Sequence, residues 1–284
     1  MANIIDGKHV ASVLRESIKK ETAEVLESTG KAPNLTVIIV GENPASQSYV
    51  RSKKKFATEV GFESDTCELP ESTTEAEVLA LIEKLNNDAN VNGILVQLPL
   101  PAHIDEQTVI RAIAVEKDVD GFHPEQVGRL SIGLDTLEPC TPAGIIELLK
   151  YYDIQVSGKN AVVIGRSNIV GKPIANMLLR LDATVTITHS RTANLADITR
   201  TADILVVAIG RPHFLTVDMV KDGAVVIDVG INRTEEGKLV GDVDYEGVQK
   251  KASYITPVPG GVGPMTIAML LANTLKAFKR QYHT

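Results

Sequence analysis

The stretch Ala161-Val162-Val163-Ile164-Gly165-Arg166-Ser167-Asn168-Ile169-Val170-Gly171-Lys172-Pro173 constrains this chain more than any other. Four apolar residues run into a glycine turn, and a helical pattern begins at Val170. Strand, glycine turn and helix in that order form the opening unit of a nucleotide-binding parallel sheet, with the turn facing a phosphate. A helix that starts there directs unpaired N–H groups and its positive dipole end at the ligand. The glycine spacing departs from G-x-G-x-x-G, because Ser167 stands at the second glycine and the later glycine is Gly171. Alone, the loop is a weak signal, and the rest of the chain decides its meaning.

Around it, strand and helix patterns alternate. Apolar residues Val10, Val13, Leu14 and Ile18 recur at helical spacing up to Gly30. Leu35–Val40 reads as a buried strand, Ala45–Val60 as a helix closed by Gly61, and Asp65–Leu69 as a strand. Thr74–Asn87 is a helix, Gly93–Leu98 a strand stopped by Pro99, and Asp105–Ala114 a helix. From Val115 to Pro142 glycines and prolines break the regularity, which places a domain junction there. Thr141-Pro142 reads as an N-cap followed by a first-turn proline, opening a helix to about Tyr152. Strands follow at Ala161–Ile164, Thr184–Thr188, Ile204–Ala208, Val225–Val229 and Tyr254–Thr256, with helical segments between most of them. This is a doubly wound α/β pattern, whose ligands belong at the carboxyl ends of the strands. A last helix, about 265–284, carries Ile267, Leu270, Leu271, Thr274, Leu275 and Phe278 at helical spacing, and is expected to fold back onto the first domain.

Length and charge agree with two domains that bind something small. The 284 residues suit two domains of roughly 100–150 residues each, here 1–140 and 141–264. With 36 acidic and 29 basic residues the net charge is −7, which argues against nucleic acid or an anionic membrane as the main partner. The two cysteines, Cys67 and Cys140, form neither a C-x-x-C pair nor a disulfide framework. No cluster of metal-ligating residues has ligand spacing, so no metal is expected. The first residues lack the pattern of a signal peptide, and no apolar run is long enough to span a bilayer, so a cytoplasmic location is expected.

The end of the second strand after the glycine loop selects the cofactor. An NAD site carries an acidic residue there, about 20 residues past the turn. Here the sequence is Thr188-His189-Ser190-Arg191-Thr192, without a carboxylate. Ser190 and Arg191, with Arg166 in the turn, suit a 2′-phosphate, since guanidinium forks match phosphate oxygens. This favours NADP over NAD. The bland alternative is a solvated strand end. Backbone near Gly230-Ile231 lies at a further strand end, where a nicotinamide would approach; tight turns that merely need glycine explain it equally.

The first domain contains a chemically odd run, Ser48-Tyr49-Val50-Arg51-Ser52-Lys53-Lys54-Lys55. Tyr49 and Lys53 are neighbours on one helix face. Like charges from Arg51, Lys54 and Lys55, plus partial burial, would depress the Lys53 pKa and fit it for general acid–base work. A solvated basic face is the ordinary meaning of such a run. Gln97 ends an apolar strand, where its amide needs a partner and a ligand is expected. Asp120, in Lys117-Asp118-Val119-Asp120-Gly121, is either a turn residue or a group facing a nitrogen-rich ring. The segment from Thr256 to Thr266 packs three prolines and three glycines into eleven residues, a loop that either holds a ligand or makes a hard turn.

These motifs together resemble one family, the bifunctional methylenetetrahydrofolate dehydrogenase/methenyltetrahydrofolate cyclohydrolases. The resemblance covers essentially the whole chain. It rests on Tyr49-Val50-Arg51-Ser52-Lys53, Val96-Gln97-Leu98-Pro99-Leu100-Pro101, Lys117–Gly121, Pro139-Cys140-Thr141-Pro142, the Gly165–Pro173 loop and Pro257–Thr266. It implies a two-domain α/β fold flanking a cleft, with an N-terminal three-layer folate domain and a C-terminal Rossmann-type NADP domain. It implies oxidation of 5,10-methylenetetrahydrofolate with NADP and hydrolysis of the methenyl product to 10-formyltetrahydrofolate. By the resemblance Lys53 is catalytic, Gln97 hydrogen-bonds it, Tyr49 packs on the folate and Asp120 holds the pterin. Val96, Leu98, Pro259, Gly260 and Gly261 line the folate side. Gly165, Arg166, Ser167, Ser190 and Ile231 contact NADP, with Arg191 added. A homodimer through the C-terminal domain is implied as well. Two other readings compete: an NADP dehydrogenase of a shikimate-like hydroxy acid, and a non-catalytic NADP-sensing module. The second leaves Tyr49, Lys53 and Gln97 without a purpose.

Overall fold

A computed structural model describes residues 1–283; Thr284, the last residue of the expected C-terminal helix, and the side chain of Ala45 lie outside the described residues. In chain order the first half contains β1 (Asn3–Ile4), α1 (Gly7–Thr29), β2 (Asn34–Val40), α2 (Pro44–Glu59), β3 (Glu63–Leu69), α3 (Glu75–Asn86), β4 (Gly93–Val96), α4 (Glu106–Ala112), α5 (Pro124–Ser131) and α6 (Cys140–Tyr151). The second half contains β5 (Asn160–Ile164), α7 (Gly171–Arg180), β6 (Thr184–Thr188), α8 (Leu195–Thr199), β7 (Ile204–Val207), β8 (Val225–Asp228), β9 (Asn232–Arg233), β10 (Leu239–Val240), α9 (Tyr245–Val248), β11 (Tyr254–Ile255) and α10 (Val262–Tyr282). Two compact units result. One comprises Val13–Cys140 with Ile267–Thr284, the other Met1–Ser12 with Thr141–Thr266.

The first unit is built on a three-stranded parallel sheet in the order β3-β2-β4. Side chains alternate across a strand, and β2 uses this to feed two cores. Leu35, Val37 and Ile39 join Ile18, Val25, Val50, Leu271 and Phe278 on one side. Ile38 and Val40 join Val78, Ile82, Ile94 and Val109 on the other. The result is helix, sheet, helix in three layers, with the end of α10 in one of the outer layers. Helix α3 starts on a capping box, Thr74 with Glu77, and α4 on the Asp105 carboxylate.

Sequence pattern misjudges two places here. The irregular stretch after Val115 contains α5, which starts at Pro124 behind a His123 cap; Gly128 in mid-helix hides it from a propensity reading. Thr141 is not an N-cap, because α6 begins at Cys140 and the Thr141 hydroxyl pairs instead with the Thr266 hydroxyl at 2.9 Å.

The second unit has a six-stranded sheet, β1-β11-β8-β7-β5-β6, parallel throughout. Strand β5 lies between β6 and β7, so the connections run in opposite directions from it. That is the switch point at which a doubly wound sheet opens its crevice. Strands β5, β7 and β8 are buried along nearly their whole length, as expected of central parallel strands. The first residues of the chain belong to this unit rather than to the domain 1–140 expected from sequence: β1 pairs with β11, Asn3 opposite Tyr254. Two residues of strand are too few to show a period. Among the described residues no helix is long and apolar enough to cross a membrane.

Candidate active site

Helix α2 delivers Lys53. Buried residues fall at Ser46, Val50, Lys53 and Ala57 on it and at Val60 just past its end, spaced four, three, four and three apart. This is the stripe a helix turns toward a core, and Lys53 occupies one of its places, 8% exposed. Arg51, Lys54 and Lys55 point outward to solvent. The basic run is therefore a solvated face with one member turned inside.

The Lys53 ammonium meets the amide at the end of β4. Lys53 Nζ donates to Gln97 Oε1 at 2.9 Å, and Gln97 Nε2 donates to the Leu98 carbonyl at 2.7 Å. The second bond fixes which way the amide points. Burial lowers the Lys53 pKa, and chiefly the Asp120 charge acts against that. Of the two causes expected from sequence, burial is the one at work, and crowding by neighbouring cations is not. A neutral acceptor such as Gln97 holds the amine in either protonation state, whereas a carboxylate would lock it as the cation.

Three further groups surround this pair: Asp120, which the sequence marks as a candidate site residue, and Asp118 and Cys140, to which the sequence reading assigns no chemical role. Asp118 is 1% exposed and accepts the His123 N–H at 2.7 Å. Burial pushes its carboxyl up to about 7, aided by the Asp120 charge and opposed by backbone N–H groups of His123, Gly121 and Phe122. Burial also raises Asp120, while Lys53 and a hydrogen bond from the Cys140 thiol pull it down. Burial raises the Cys140 thiol well above its ordinary value, with the Asp120 charge adding to it. Its Sγ lies 3.3 Å from the Val119 carbonyl, and Asn273 on α10 donates to the Val119 and Glu138 carbonyls at 2.8 Å. The turn that presents Asp120 needs glycine next in sequence. Gly121 has φ +73°, and a Cβ there would lie 2.6 Å from the Leu137 carbonyl oxygen. The Asp118-x-Asp120-Gly121 spacing was the available signal; nothing in the sequence marks Asn273.

Tyr49 stands one turn before Lys53 on α2, with 40% of its surface exposed. Val96 is buried at the end of β4, and Leu98 is half-buried beside Gln97. Pro259, Gly260 and Gly261 are not in this unit. They pack on the start of α1: Lys8 N–H donates to the Gly260 carbonyl at 3.1 Å, and a Cβ on Gly7 would fall 1.7 Å from the Gly261 oxygen. The density of glycine in that loop thus has a packing cause, a backbone-to-backbone approach that no side chain would allow.

In the second unit Gly165 ends β5 with φ +125°, and a Cβ there would sit 2.3 Å from the Ala208 oxygen. A Cβ on Gly171 would sit 2.4 Å from the Gly165 oxygen. Ser167 does more than stand in for a glycine. Its Oγ accepts the N–H groups of Val170 and Gly171 at 3.2 Å, and its carbonyl accepts that of Lys172 at 3.0 Å. The first turn of α7 is therefore already capped, contrary to the expectation of unpaired N–H groups, and Pro173 has none to offer. The donors this loop still offers are the Arg166 guanidinium, the Ser167 hydroxyl proton and the exposed backbone from Arg166 to Ile169. At the end of β6, His189 Nδ1 accepts the Arg191 N–H at 3.1 Å and Thr192 Oγ1 accepts the His189 N–H at 2.9 Å. That turn presents Ser190 and Arg191 to solvent. Two guanidinium groups, two hydroxyls and no carboxylate make a donor set that fits a phosphorylated dinucleotide. Ile231, 47% exposed, follows β8. Among the described residues no three His, Cys, Asp or Glu side chains gather as metal ligands.

Both halves of the chain match known proteins. Residues 5–120 match the catalytic domain of tetrahydrofolate dehydrogenase/cyclohydrolase, and residues 139–282 match its NAD(P)-binding domain. The bifunctional protein FolD of Campylobacter hominis is 60% identical over 278 residues, 98% of each chain. The Trypanosoma brucei methylenetetrahydrofolate dehydrogenase-cyclohydrolase, solved with NADP cofactor and inhibitor, is 41% identical with a TM-score of 0.95, covering 100% of this chain and 99% of that one. A Thermus thermophilus shikimate 5-dehydrogenase, 16% identical with a TM-score of 0.54 over 87% of this chain and 99% of that one, shares the fold alone. With both domain models matched and near-complete coverage at 60% identity, this chain belongs to the tetrahydrofolate dehydrogenase/cyclohydrolase family.

Proposed function

We propose that Lys53 is the proton-transfer group of a bifunctional enzyme. The chain is an NADP-dependent methylenetetrahydrofolate dehydrogenase and methenyltetrahydrofolate cyclohydrolase, as its family membership indicates. The contact of Lys53 with Gln97, in a setting that lowers the lysine pKa, supports the role most strongly. Oxidation of methylenetetrahydrofolate removes hydride from a carbon between two nitrogens. The cation left is delocalised and asks for no strong base. Hydrolysis then adds water to that carbon, and an amine whose pKa is lowered by burial can take the proton from water and return it to the departing ring nitrogen. Gln97 holds Nζ in place through both states. Asp120 takes the hydrogen-bonding edge of the pterin, Tyr49 lies against its face, and Val96 and Leu98 flank it. Pro259, Gly260 and Gly261 border the folate.

NADP supplies the hydride acceptor when bound. Gly165, Arg166 and Ser167 take its pyrophosphate, Ser190 and Arg191 its 2′-phosphate, and Ile231 the nicotinamide side. The folate-binding unit is Val13–Cys140 with the end of the last helix, and the NADP unit is Thr141–Thr266 with the first residues of the chain. The enzyme works in the cytoplasm, in keeping with its two free thiols. It acts as a homodimer joined through the NADP domain, for which the edge strand β6 is the best-suited surface.

Mixing the protein with methylenetetrahydrofolate and NADP⁺ is expected to give NADPH and a transient methenyl absorbance that decays to the formyl product. Lys53→Met is expected to leave the folded state intact and abolish the decay; full hydrolysis by that variant would remove Lys53 from the mechanism. Arg191→Ala is expected to weaken NADP by more than NAD, and equal losses would take it out of the 2′-phosphate site.

A further inference from the structure

We propose that Asp242 is a positioning residue for the nicotinamide half of the cofactor site, holding the loops after β7 and β8 in one fixed arrangement. The proposal rests on the reading of the second unit as the NADP domain.

Asp242 follows β10 and is fully buried. Its Oδ2 accepts the N–H groups of Ile209 and Gly210 at 2.8 and 2.9 Å. Its Oδ1 accepts the Arg211 N–H at 2.8 Å and the Asn232 Nδ2 at 2.9 Å. Three of these donors lie in the loop after β7, and the fourth follows β8. The chain after β8 passes so close that a Cβ on Gly230 would lie 2.3 Å from the Asp242 carboxyl carbon. A second buried carboxylate completes the arrangement. Asp228, at the end of β8, accepts Gly230 and Asp242 N–H groups at 2.9 Å on Oδ1 and Val243 N–H at 3.0 Å on Oδ2. A Cβ on Gly241 would lie 1.9 Å from Asp228 Oδ2.

Burying carboxylates without a cation costs free energy, recovered only when their oxygens are filled by donors. An ordinary turn is closed by Ser, Asn or a backbone carbonyl at lower cost. What a carboxylate adds is two acceptor oxygens and no donor, so it can gather N–H groups from separate loops at once. The loops gathered here stand at the carboxyl ends of β7 and β8, across the switch point from β5 and β6. In a doubly wound sheet the β5 and β6 ends take the pyrophosphate and the adenosine ribose. The β7 and β8 ends are left for the other half of the dinucleotide. Ile231 sits between Gly230 and Asn232, both of which touch Asp242, so its position is set by that carboxylate.

The test separates the two halves of the ligand. Affinities for NADP⁺ and for 2′,5′-ADP, which lacks the nicotinamide half, are measured by calorimetry for the wild type and Asp242→Asn, with cyclohydrolase turnover as a check on folding. The asparagine turns an NH₂ toward N–H donors, so NADP⁺ is expected to bind about tenfold more weakly, the equivalent of one lost hydrogen bond, while 2′,5′-ADP is unchanged. Asn232→Ala removes one donor from outside the buried carboxyl. It is expected to move NADP⁺ in the same direction by a smaller factor, and it decides the matter if the aspartate variant does not fold. Equal weakening of both ligands, or of neither, would overturn the proposal. A wild type that fails to bind 2′,5′-ADP would overturn the NADP-domain reading itself, and the positioning role with it.

Discussion

Lys53 reads as a surface lysine by composition and as a core residue by register. Its partial burial and its place beside Tyr49 on one helix face were legible in the sequence, but the stripe Ser46, Val50, Lys53, Ala57, Val60 that turns it inward emerges only in the structure. Burial depends on what α2 packs against, and that is a tertiary fact. Replacing Gln97 by Glu tests the importance of a neutral partner. A carboxylate 2.9 Å from Nζ would favour the ammonium and raise the lysine pKa by about 1–3 units. Cyclohydrolase turnover of Gln97→Glu near pH 7.5 is expected to fall roughly 10–100-fold and to recover as pH rises; Asp120→Asn removes a charge that raises Lys53, so its profile should move toward acid. A pH–rate profile unmoved by either change would mean that Lys53 does not carry the proton. Asp118 makes a separate prediction about stability. Its folded-state value of about 7 lies above the ordinary 3.8, so folding takes up a proton between those limits. Its contribution to stability therefore falls as pH rises from about 4 to 7. Asp118→Asn cannot titrate, and its urea midpoint should decline less than that of the wild type between pH 5 and 8, a difference of roughly 2–4 kcal/mol. Asp228, raised to about 6 with the same sign, is present in both proteins and cancels in the comparison. Asp118, Asp228 and Asp242 were illegible as functional groups, since their partners are mainly backbone N–H groups and leave no side-chain pattern to read.

At the scale of elements, long periodic segments were legible and short or glycine-bearing ones were not. Apart from β1, the strands of the two larger sheets and the helices α2, α3 and α10 follow from apolar spacing, while β1, the β9–β10 hairpin and α5 were hidden by two-residue length or by Gly128. The β5–α7 connection shows how a recognised motif can hide its own workings. Its sequence suggests a glycine loop with one glycine missing, yet Ser167 supplies the cap that closes the first turn of α7. What the loop still requires is its two remaining glycines. A methyl at Gly171 would lie 2.4 Å from the Gly165 oxygen and 2.8 Å from the Arg166 Cα, both backbone atoms that cannot swing aside. Gly171→Ala is expected to cost about 1–3 kcal/mol of overpacking and to raise the KM for NADP⁺ at least severalfold, with cyclohydrolase turnover retained. Gly158→Ala is the control. That residue has φ +74° and nothing within 4 Å, so the substitution strains the backbone by about 1 kcal/mol without touching the loop. If the two variants lower stability and cofactor affinity alike, the effect at Gly171 is general loosening of the unit rather than displacement of Arg166.

The whole molecule is a chain that passes between its two units three times, so neither unit is one continuous segment. A linear reading divides the sequence at its irregular stretch and cannot see that the first residues complete the second sheet. The sheet closes on one side with β1 and on the other with β6, and the β6 edge is the unusual one. Natural edge strands are protected by charge, proline, a bulge or a covering element. Strand β6 reads Thr184-Val185-Thr186-Ile187-Thr188, with neither charge nor proline and with β-branched residues throughout. Ile187 is 42% exposed on it, and Leu179 near the end of α7 is 61% exposed. A two-fold axis beside such a strand pairs it with its own copy, antiparallel, and satisfies both edges with one self-complementary patch. This is the surface we propose for pairing two copies of the chain. Light scattering is then expected to give close to twice the 30.6 kDa of one chain for the wild type, and close to one chain for Ile187→Lys at micromolar concentration. The lysine adds charge to the edge without disturbing the buried Thr188 beside it, which anchors the strand through the Val163 carbonyl at 3.1 Å. The variant should therefore keep its circular dichroism spectrum while losing its partner. A variant that still runs at the dimer mass would place the interface elsewhere, and a wild type that runs as a single chain would mean that β6 is an edge this protein leaves open.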